Sequence, residues 1–336
     1  MSQAFPFSAI VGQDDMKRAV ILTAVDPRIG GVLIFGDRGT GKSTAIRALA
    51  GLMPPITRVK NCPYNSTEIK DRPDFADPLE DALEDIPTPV VDLPLGVTED
   101  RVVGALDIER ALTKGEKHFE PGLLARAHRG YLYIDEVNLL EDHIVDLLLD
   151  VAASGENVVE REGLSIRHPS QFVLVGSGNP EEGELRPQLL DRFGLSVDVR
   201  TPTTIKDRVE VIRRRDAFES DHKAFMKKWR AADTRTRNAI LRARAYLRTI
   251  ETGDDALEDC AALCIALGAD GLRGELTLLR AARAFAAFEG DQKVSRSHIQ
   301  TVAPMALRHR LRRDPLDEAG SEQRVTKVIE DVFANA

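Results

Sequence analysis

The glycine-rich stretch Gly36-Asp-Arg-Gly-Thr-Gly-Lys-Ser43 has the spacing of a loop that binds the phosphates of a nucleoside triphosphate. Its glycines allow successive main-chain N–H groups to point at phosphate oxygens, and the helix predicted over residues 44–50 presents the positive end of its dipole to the same anion. Lys42 offers a positive charge to the β- and γ-phosphates, and the Ser43 hydroxyl suits Mg²⁺. The predicted nucleotide-binding residues are Gly36, Asp37, Arg38, Gly39, Thr40, Gly41, Lys42, Ser43 and Thr44.

Two adjacent carboxylates, Asp135 and Glu136, follow the apolar run Tyr131-Leu-Tyr-Ile134. Such a pair is common on protein surfaces, but a phosphate-binding loop about 90 residues upstream gives it a specific interpretation. Asp135 is predicted to hold the Mg²⁺ of the bound nucleotide together with Ser43, and Glu136 to activate the attacking water. The pair therefore favours hydrolysis over nucleotide binding alone.

Two further side chains could act on a terminal phosphate. Asn179 follows the apolar run 172–175, where an amide could hold the water or the γ-phosphate, although an asparagine before proline is also typical of a turn. Arg192 lies in Leu189-Leu-Asp-Arg-Phe193. A guanidinium often completes the charge shell in phosphoryl transfer from a neighbouring subunit, but a solvated helix arginine is equally compatible with these residues.

Three apolar runs must position these groups: residues 31–35, 131–134 and 172–175. Each run ends at glycine or polar residues, which predicts buried parallel strands joined by helices, with ligands bound at the carboxyl ends of the strands. We therefore predict an α/β fold, with a phosphate-loop parallel sheet flanked by helices over residues 1–202. Residues 54–100 contain eight of the seventeen prolines and are expected to be irregular.

A smaller all-helical domain is predicted after residue 202, because no convincing strand interrupts the helical periodicity there. Residues 203–232 form a connecting helical segment, and 233–336 form the C-terminal helical domain. The predicted helices cover 205–230, 234–249, 255–267, 274–289 and 295–311, with a short terminal helix over 324–336.

Composition excludes several classes of protein. The 336 residues are 43% hydrophobic and 30% charged, which is typical of a globular chain of about two domains. The apolar runs are too short to cross a bilayer, so we expect a cytoplasmic protein without a membrane span. The net charge of −8 argues against a dedicated nucleic-acid binder.

The charge is nevertheless distributed unevenly. Residues 65–100 carry eleven acids and two bases, whereas residues 206–248 carry fourteen bases and six acids. This pattern has two interpretations: two separate solvated surfaces, or an acidic surface of one copy that meets the basic surface of the next, as in a ring.

Cysteine and histidine predict no metal chemistry. Cys62, Cys260 and Cys264 are too few and scattered for a disulfide framework, and we expect them to be buried. The seven histidines show no metal-ligand spacing, and aromatic residues are only 5% of the chain, so we predict neither a macrocycle site nor a transition-metal site.

The order of these motifs resembles that of the AAA+ ATPases. The phosphate loop, Asp135-Glu136, Asn179 and Arg192 match the Walker A, Walker B, sensor 1 and arginine-finger positions, and Ile10-Val-Gly-Gln13 resembles the adenine-side segment. Longer strings are similar to the ATPase I subunits of magnesium chelatases over nearly the whole chain. These strings are residues 37–44, Leu95-Gly-Val-Thr-Glu-Asp-Arg-Val-Val-Gly104, Phe119-Glu-Pro-Gly-Leu-Leu-Ala125 and 179–193.

The resemblance implies a set of roles. Glu136, Asn179, Arg192 and Arg273 would be catalytic, with Arg273 as the sensor 2 arginine, and the chain would use ATP and Mg²⁺. Family members form hexameric rings with nucleotide between subunits, so Arg192 would act in trans; for Arg273 this depends on where the helical domain sits. The family also carries insertions, expected here around residues 91–115 and in a hairpin at 157–168.

The implied activity is the ATP-dependent insertion of Mg²⁺ into protoporphyrin IX in chlorophyll and bacteriochlorophyll biosynthesis, together with a D subunit and a porphyrin-binding H subunit. Two other functions stay open at this point. One is a MoxR-like remodelling chaperone or the ATPase of a cobalt chelatase. The other is a nucleotide-gated scaffold whose hydrolysis is incidental.

Overall fold

A five-stranded parallel sheet forms the centre of the molecule in the computed structural model, which describes residues 4–37, 39–71, 80–107, 118–161, 164–179, 185, 187–269, 272–311 and 321–334. The strands are β1 (Val32–Gly36), β2 (Ile56–Val59), β3 (Leu83–Ile86), β4 (Val90–Leu93), β5 (Gly104–Leu106), β6 (Phe119–Pro121), β7 (Tyr131–Ile134), β8 (Glu156–Arg161), β9 (Leu164–Pro169), β10 (Val173–Gly178) and β11 (Leu195–Val199).

The order of the sheet is β11-β1-β10-β7-β4, and every neighbouring pair is parallel. The three predicted strands are confirmed as β1, β7 and β10. Because β10 pairs with β1 on one side and β7 on the other, the ends of all three lie next to one another. The sheet therefore brings the phosphate loop, Asp135 and Asn179 to a single edge.

Two strands of the sheet were not predicted, and they correct the position of one insertion. Strand β4 pairs with β7 at one edge, and β11 pairs with β1 at the other. The predicted start of the first insertion, at residue 91, is therefore too early, because Val90–Leu93 belongs to the main sheet. Residues 108–117 of that predicted insertion lie outside the described residues. The hairpin expected at 157–168 is present as β8 and β9, and β2 pairs with β3 inside the stretch expected to be irregular.

The described helices confirm an all-helical C-terminal region. They are α1 (Asp14–Val25), α2 (Lys42–Leu52), α3 (Glu99–Val103), α4 (Leu123–Ala127), α5 (Asp142–Ser154), α6 (Pro187–Leu190), α7 (Ile205–Ser220), α8 (His222–Tyr246), α9 (Asp254–Leu267), α10 (Arg273–Glu289), α11 (Arg296–Leu307) and α12 (Ser321–Ala334).

The predicted break between residues 230 and 234 is wrong. Helix α8 runs through it, and the chain breaks instead at Asp221, whose carboxylate accepts a hydrogen bond from the Ala224 N–H at 2.9 Å and caps α8. Thr234 has the residue type of a helix cap, but its hydroxyl donates to the Arg230 carbonyl one turn earlier. A threonine can satisfy its hydroxyl in this way inside a helix, so its presence did not mark a boundary.

Apolar residues cover both faces of the sheet. On one face, Leu33, Leu132 and Leu174 pack with α5 and the β8–β9 hairpin. On the other face, Ile34, Val175 and Val197 belong to a core that continues through α1 and α2 into α8, α10 and α11. The helical region therefore shares a hydrophobic core with the sheet.

Two arginines of α8 strengthen this attachment. Arg237 and Arg244 on α8 donate from Nε to the carbonyls of Leu52 and Ala24, each at 2.6 Å. Both carbonyls lie in the last turn of a helix, where no further helical N–H can reach them. The long helix α8 thus closes the ends of α1 and α2.

All three cysteines are buried, as predicted, and their thiols are free. Burial raises the pKa of both Cys260 and Cys264 to about 12, so neither is a thiolate at neutral pH.

Among the described residues, no helix is long and apolar enough to cross a membrane.

Three buried histidines predict a loss of stability in mild acid. Burial lowers the pKa of His128 to about 4, that of His309 to about 3, and also that of His168. Below their ordinary pKa of about 6.5, the unfolded chain binds protons that the folded chain excludes. We expect the free energy of unfolding in urea to fall between pH 7.5 and 5.5 by roughly 1 kcal/mol for His128 and for His309, with His168 changing it in the same direction.

The variant H128N keeps an acceptor for the Gln171 N–H, which donates to His128 Nδ1 at 3.0 Å, and should reduce this pH dependence. The exposed His143 supplies the control H143N, which should behave as the unmodified chain. Equal pH dependence in all three proteins would contradict the assignment.

Candidate functional site

The phosphate loop has the backbone that anion binding requires. Gly36 has φ +151°, and a Cβ placed there would lie 2.1 Å from the Val199 carbonyl oxygen, so only glycine fits. Gly41, with φ +86°, precedes α2 in the left-handed conformation and provides no side-chain cap for the helix. The first turn of α2 also lacks an acidic residue, so its N–H groups and dipole face the loop without a competing carboxylate. Arg38 lies outside the described residues.

Lys42 and Gln13 border this loop. The Lys42 ammonium donates to the main-chain oxygens of Gly36 and Asp37, which places its charge above the loop. Gln13 donates from Nε2 to the Thr40 carbonyl at 2.7 Å, while its Oε1 is buried without a hydrogen-bond partner in the described part of the chain. An unpaired buried oxygen beside the loop is suited to accept a hydrogen bond from a base amino group.

Asp135 is held by two side chains that the sequence did not single out. The hydroxyls of Tyr133 and Ser177 donate to Asp135 Oδ1 at 3.0 and 2.6 Å, and the two hydroxyls lie 3.0 Å apart. Burial raises the pKa of Tyr133, which keeps its hydroxyl protonated as a donor. The network fixes one oxygen of the Asp135 carboxylate and leaves its other oxygen for a metal ion.

Glu136 adopts an unusual backbone conformation. Its φ of +55° is left-handed, which is uncommon for glutamate and is seen at functional sites. Its N–H donates to Ser177 Oγ at 3.3 Å, so the same serine fixes both acidic residues. Asn179, at the end of the neighbouring strand, is 7% exposed.

Asn138 is a further polar residue at this edge. It follows Glu136 in a short 3-10 turn, and both polar atoms of its side chain are buried without a partner among the described residues. A Cβ at Gly178 would lie 3.4 Å from Asn138 Oδ1, which places this amide beside the end of β10. Its proximity to the end of β10 could not be predicted, because Asn138 lies beyond the strand that leads into the recognisable acids.

Arg192 contacts α5 rather than the phosphate loop. Its guanidinium forms an ion pair with Asp150, and Asp146 lies 3.8 Å away. Both carboxylates are exposed, so solvent and salt weaken the pair. The structure therefore does not bring Arg192 together with Lys42 and Asp135 within one chain.

Arg273 lies near Arg192 along the chain's surface. Its guanidinium is 3.8 Å from the carboxylate of Asp191, the residue that precedes Arg192. Arg273 begins α10, and both partners of this pair are 45% exposed. The two predicted arginines thus sit around one short segment.

One acidic cluster lies away from this site. His298 Nε2 lies 3.0 Å from a carboxylate oxygen of Asp291 and 3.5 Å from one of Glu289. The spacing of these residues in the sequence did not predict this cluster. The Ser295 N–H donates to His298 Nδ1, so the ring proton is assigned to Nε2 and points at Asp291. This arrangement joins the end of α10 to the start of α11.

The residues present fit MgATP as a substrate. The loop provides main-chain donors and the Lys42 charge for phosphates, and the position of Asp135 after β7, at the same edge of the sheet, suits a magnesium ion that also binds Ser43. Glu136 lies next to Asp135 on a fixed backbone. The arrangement supports binding and hydrolysis of a nucleoside triphosphate.

Comparisons with known proteins identify the family. Residues 107–186 match the family described as magnesium chelatase, subunit ChlI, and residues 257–330 match the AAA lid domain. The chain is 72% identical to the magnesium-chelatase 38 kDa subunit of Cereibacter sphaeroides over 99% of this chain and 100% of that protein. The chain belongs to the magnesium-chelatase subunit ChlI family.

Other members of the ChlI family match across the same length. The 38 kDa subunit of Chlorobaculum tepidum is 55% identical, over 99% of this chain and 87% of that protein. A structure of the complex between subunits BchI and BchD of magnesium chelatase matches with a TM-score of 0.59 and 68% identity, covering 96% of this chain and 99% of that chain. The crystal structure of a protein from Cytophaga hutchinsonii, which is 16% identical to this chain, has the same fold with a TM-score of 0.67.

Ser177 provides a test of the acidic network in this ChlI family member. We expect S177A to lower kcat for ATP hydrolysis about tenfold and to raise the Mg²⁺ concentration needed, because Asp135 loses a hydrogen bond worth about 1.5 kcal/mol and the Glu136 N–H loses its longer contact with the same oxygen. The matched control is S170A, which removes an equally buried hydroxyl that donates to the Leu124 carbonyl. Magnesium titrations of hydrolysis should distinguish the variants; identical curves for S177A and S170A would refute the positioning role.

Proposed function

We propose that this chain is the ATP-hydrolysing motor subunit of a magnesium chelatase and drives insertion of Mg²⁺ into protoporphyrin IX in chlorophyll or bacteriochlorophyll biosynthesis. The observation that carries the proposal is full-length similarity to magnesium-chelatase 38 kDa subunits, combined with a phosphate loop and an Asp-Glu pair on nearby strand ends. The few aromatic residues favour a motor whose porphyrin is bound by another subunit.

Each site residue takes one part of the hydrolysis. The loop Gly36–Thr44 holds the triphosphate, and Ser43 and Asp135 hold its Mg²⁺. Water attacks the γ-phosphorus, the bond to the β-phosphate oxygen breaks, and Glu136 accepts the proton of the attacking water. Asn179 orients this water or the γ-phosphate by hydrogen bonding without adding charge.

Arg192 and Arg273 complete the site from a second copy. Arg192 pairs with α5 in its own chain, and Arg273 lies beside Asp191, so both belong to one surface next to β11. A guanidinium placed on the γ-phosphate stabilises the charge of the transition state. We infer a homo-oligomeric ring, a hexamer by family resemblance, in which both arginines act in trans.

The proposed partners are a D subunit and a porphyrin-binding H subunit. The BchI–BchD complex supports the first, because one of its chains is 68% identical to this chain and covers 96% of it. Three earlier statements stay predictions. They are the cytoplasmic location, the pairing of acidic and basic surfaces between copies, and the division into residues 1–202, 203–232 and 233–336. Part of the basic surface is already neutralised within the chain, because Arg213, Arg214 and Arg215 pair with glutamates on their own helix.

A chelation assay separates this function from a remodelling chaperone. The purified chain is mixed with D and H subunits, deuteroporphyrin, Mg²⁺ and ATP, and the porphyrin absorbance is followed. We expect chelation with the unmodified chain and none with E136Q, which keeps nucleotide binding but loses the base that activates water. S165A, an exposed site on the β9 strand, is the matched control. ATP consumption without chelation at any Mg²⁺ level or stoichiometry would favour the chaperone.

Mixed rings test the action of Arg192 in trans. R192A should bind nucleotide normally but lose about 10³-fold in turnover, the contribution of an arginine finger. Adding R192A to the unmodified chain at constant total concentration should reduce ATPase activity more steeply than simple dilution. A linear decline would indicate that each chain completes its own site.

A further inference from the structure

Arg310 donates hydrogen bonds to the main chain on both sides of Arg192. Its Nη1 donates to the carbonyl of Asp191 at 2.8 Å and also to the Asp191 carboxylate, and its Nη2 donates to the carbonyl of Phe193 at 2.8 Å. These two carbonyls flank Arg192 in the chain. The guanidinium therefore fixes the peptide groups from which the Arg192 side chain extends.

The contact is buried. The Arg310 side chain is 3% exposed, and its Nε donates to the Ala306 carbonyl at 3.1 Å, which ties it to the last turn of α11. Arg192 itself is 34% exposed. A rigid, enclosed guanidinium thus supports a partly exposed one, as expected where a catalytic group must be held in a fixed position.

The neighbouring residues reinforce this contact. His309 Nε2 donates to the Phe193 carbonyl at 3.0 Å, and the low pKa of His309 that results from burial keeps the ring neutral beside Arg310. Arg308 forms an ion pair with Asp198 on β11. Residues 308–310 form a 3-10 turn directly after α11, so three consecutive side chains attach the helical region to the segment 191–198.

We propose that Arg310 is a positioning residue for ATP hydrolysis, which holds Arg192 in the orientation that reaches the nucleotide of the neighbouring copy. The proposal rests on the trans role of Arg192 proposed above. Lysine cannot replace this contact, because a single ammonium lacks the planar fork that reaches two carbonyls and a carboxylate together.

The arrangement also links the two arginines of the site. Arg273 at the start of α10 and Arg310 after α11 both approach Asp191, and α10 packs on α11. A displacement of the helical region therefore moves Arg273 and the main chain of Arg192 together. The helical region is coupled to the neighbour's nucleotide through Arg310.

The test compares R310M and R310K with a matched control. R296Q removes another arginine of the helical region, one that makes two hydrogen bonds at 3.1 Å to Asp259 and lies away from Arg192. All variants are measured in the full-length chain for nucleotide binding, melting temperature and ATPase activity. We expect R310M to bind nucleotide normally and to lose on the order of 10- to 100-fold in turnover, the cost of misplacing a catalytic group by about 1 Å.

Mixing experiments separate positioning from general destabilisation. A K42A chain cannot hydrolyse ATP but still donates an intact Arg192, so mixing it with R310M should restore turnover at the phosphate loops of R310M. Mixing K42A with R192A provides the positive control. The double variant R192A/R310M should be no slower than R192A, because Arg310 acts through Arg192. If R310M does not fold, R310K carries the same comparisons, and R296Q should match the unmodified chain.

Each result has a separate meaning. Unmodified turnover in R310M, with R192A inactive, would overturn the role of Arg310 and leave the proposed function intact. A slow R310M that K42A does not rescue, although K42A rescues R192A, would show a structural effect only and would also overturn it. Full activity of R192A would refute the trans site itself, and the Arg310 proposal with it.

Discussion

The adjacency of β1, β10 and β7 is the constraint on which the site depends. Phosphate, metal ion and attacking water must meet within a few ångströms, so the groups that bind them must leave neighbouring strands at the same edge. The strand order β11-β1-β10-β7-β4 achieves this by placing β10 between the strand that leads into the phosphate loop and the strand that leads into Asp135. The apolar residues on both faces fix the register, because a shift by one residue would exchange the faces.

The residues that carry sequence patterns could be predicted, and those that support them could not. The phosphate loop is recognisable because four of its eight positions, Gly36, Gly41, Lys42 and Ser43, are fixed in type by turn geometry or phosphate and metal contact, and Asp135 follows an apolar run. Tyr133 and Ser177 lie inside strands, where a tyrosine and a serine suggest packing. Their contact with Asp135 depends on the pairing of β7 with β10, which spacing along the chain does not specify.

Element boundaries show the same limit. Strands β4 and β11 are short edge strands that need their partners to be recognised, and α8 continues through residues 231–233 because the local sequence permits helix without marking an end. The position of Arg192 and Arg273 around Asp191 also arises from tertiary packing. These two arginines lie around Asp191 because the helical region shares a hydrophobic core with the β11 side of the sheet.

This packing suggests how ATP hydrolysis can be coupled to a movement of one copy relative to its neighbour. In the proposed ring, one chain supplies the phosphate loop, the acids and the amide; the arginines proposed to complete the charge shell lie on another surface of the same chain, held from the helical region. Under this proposal, closure of the site requires a second copy to approach, and cleavage of the terminal phosphate removes the charge that holds the two copies together. Work can therefore be transmitted between protomers through the segment 191–193.

The dependence of hydrolysis on assembly tests this account most directly. ATPase activity per chain, binding of a fluorescent ATP analogue and sedimentation are measured on the same protein over a wide range of concentrations with Mg²⁺. The account predicts that activity per chain disappears as the oligomer dissociates, while the separated chain still binds nucleotide. Constant activity per chain in a protein that sedimentation shows to be monomeric would contradict it.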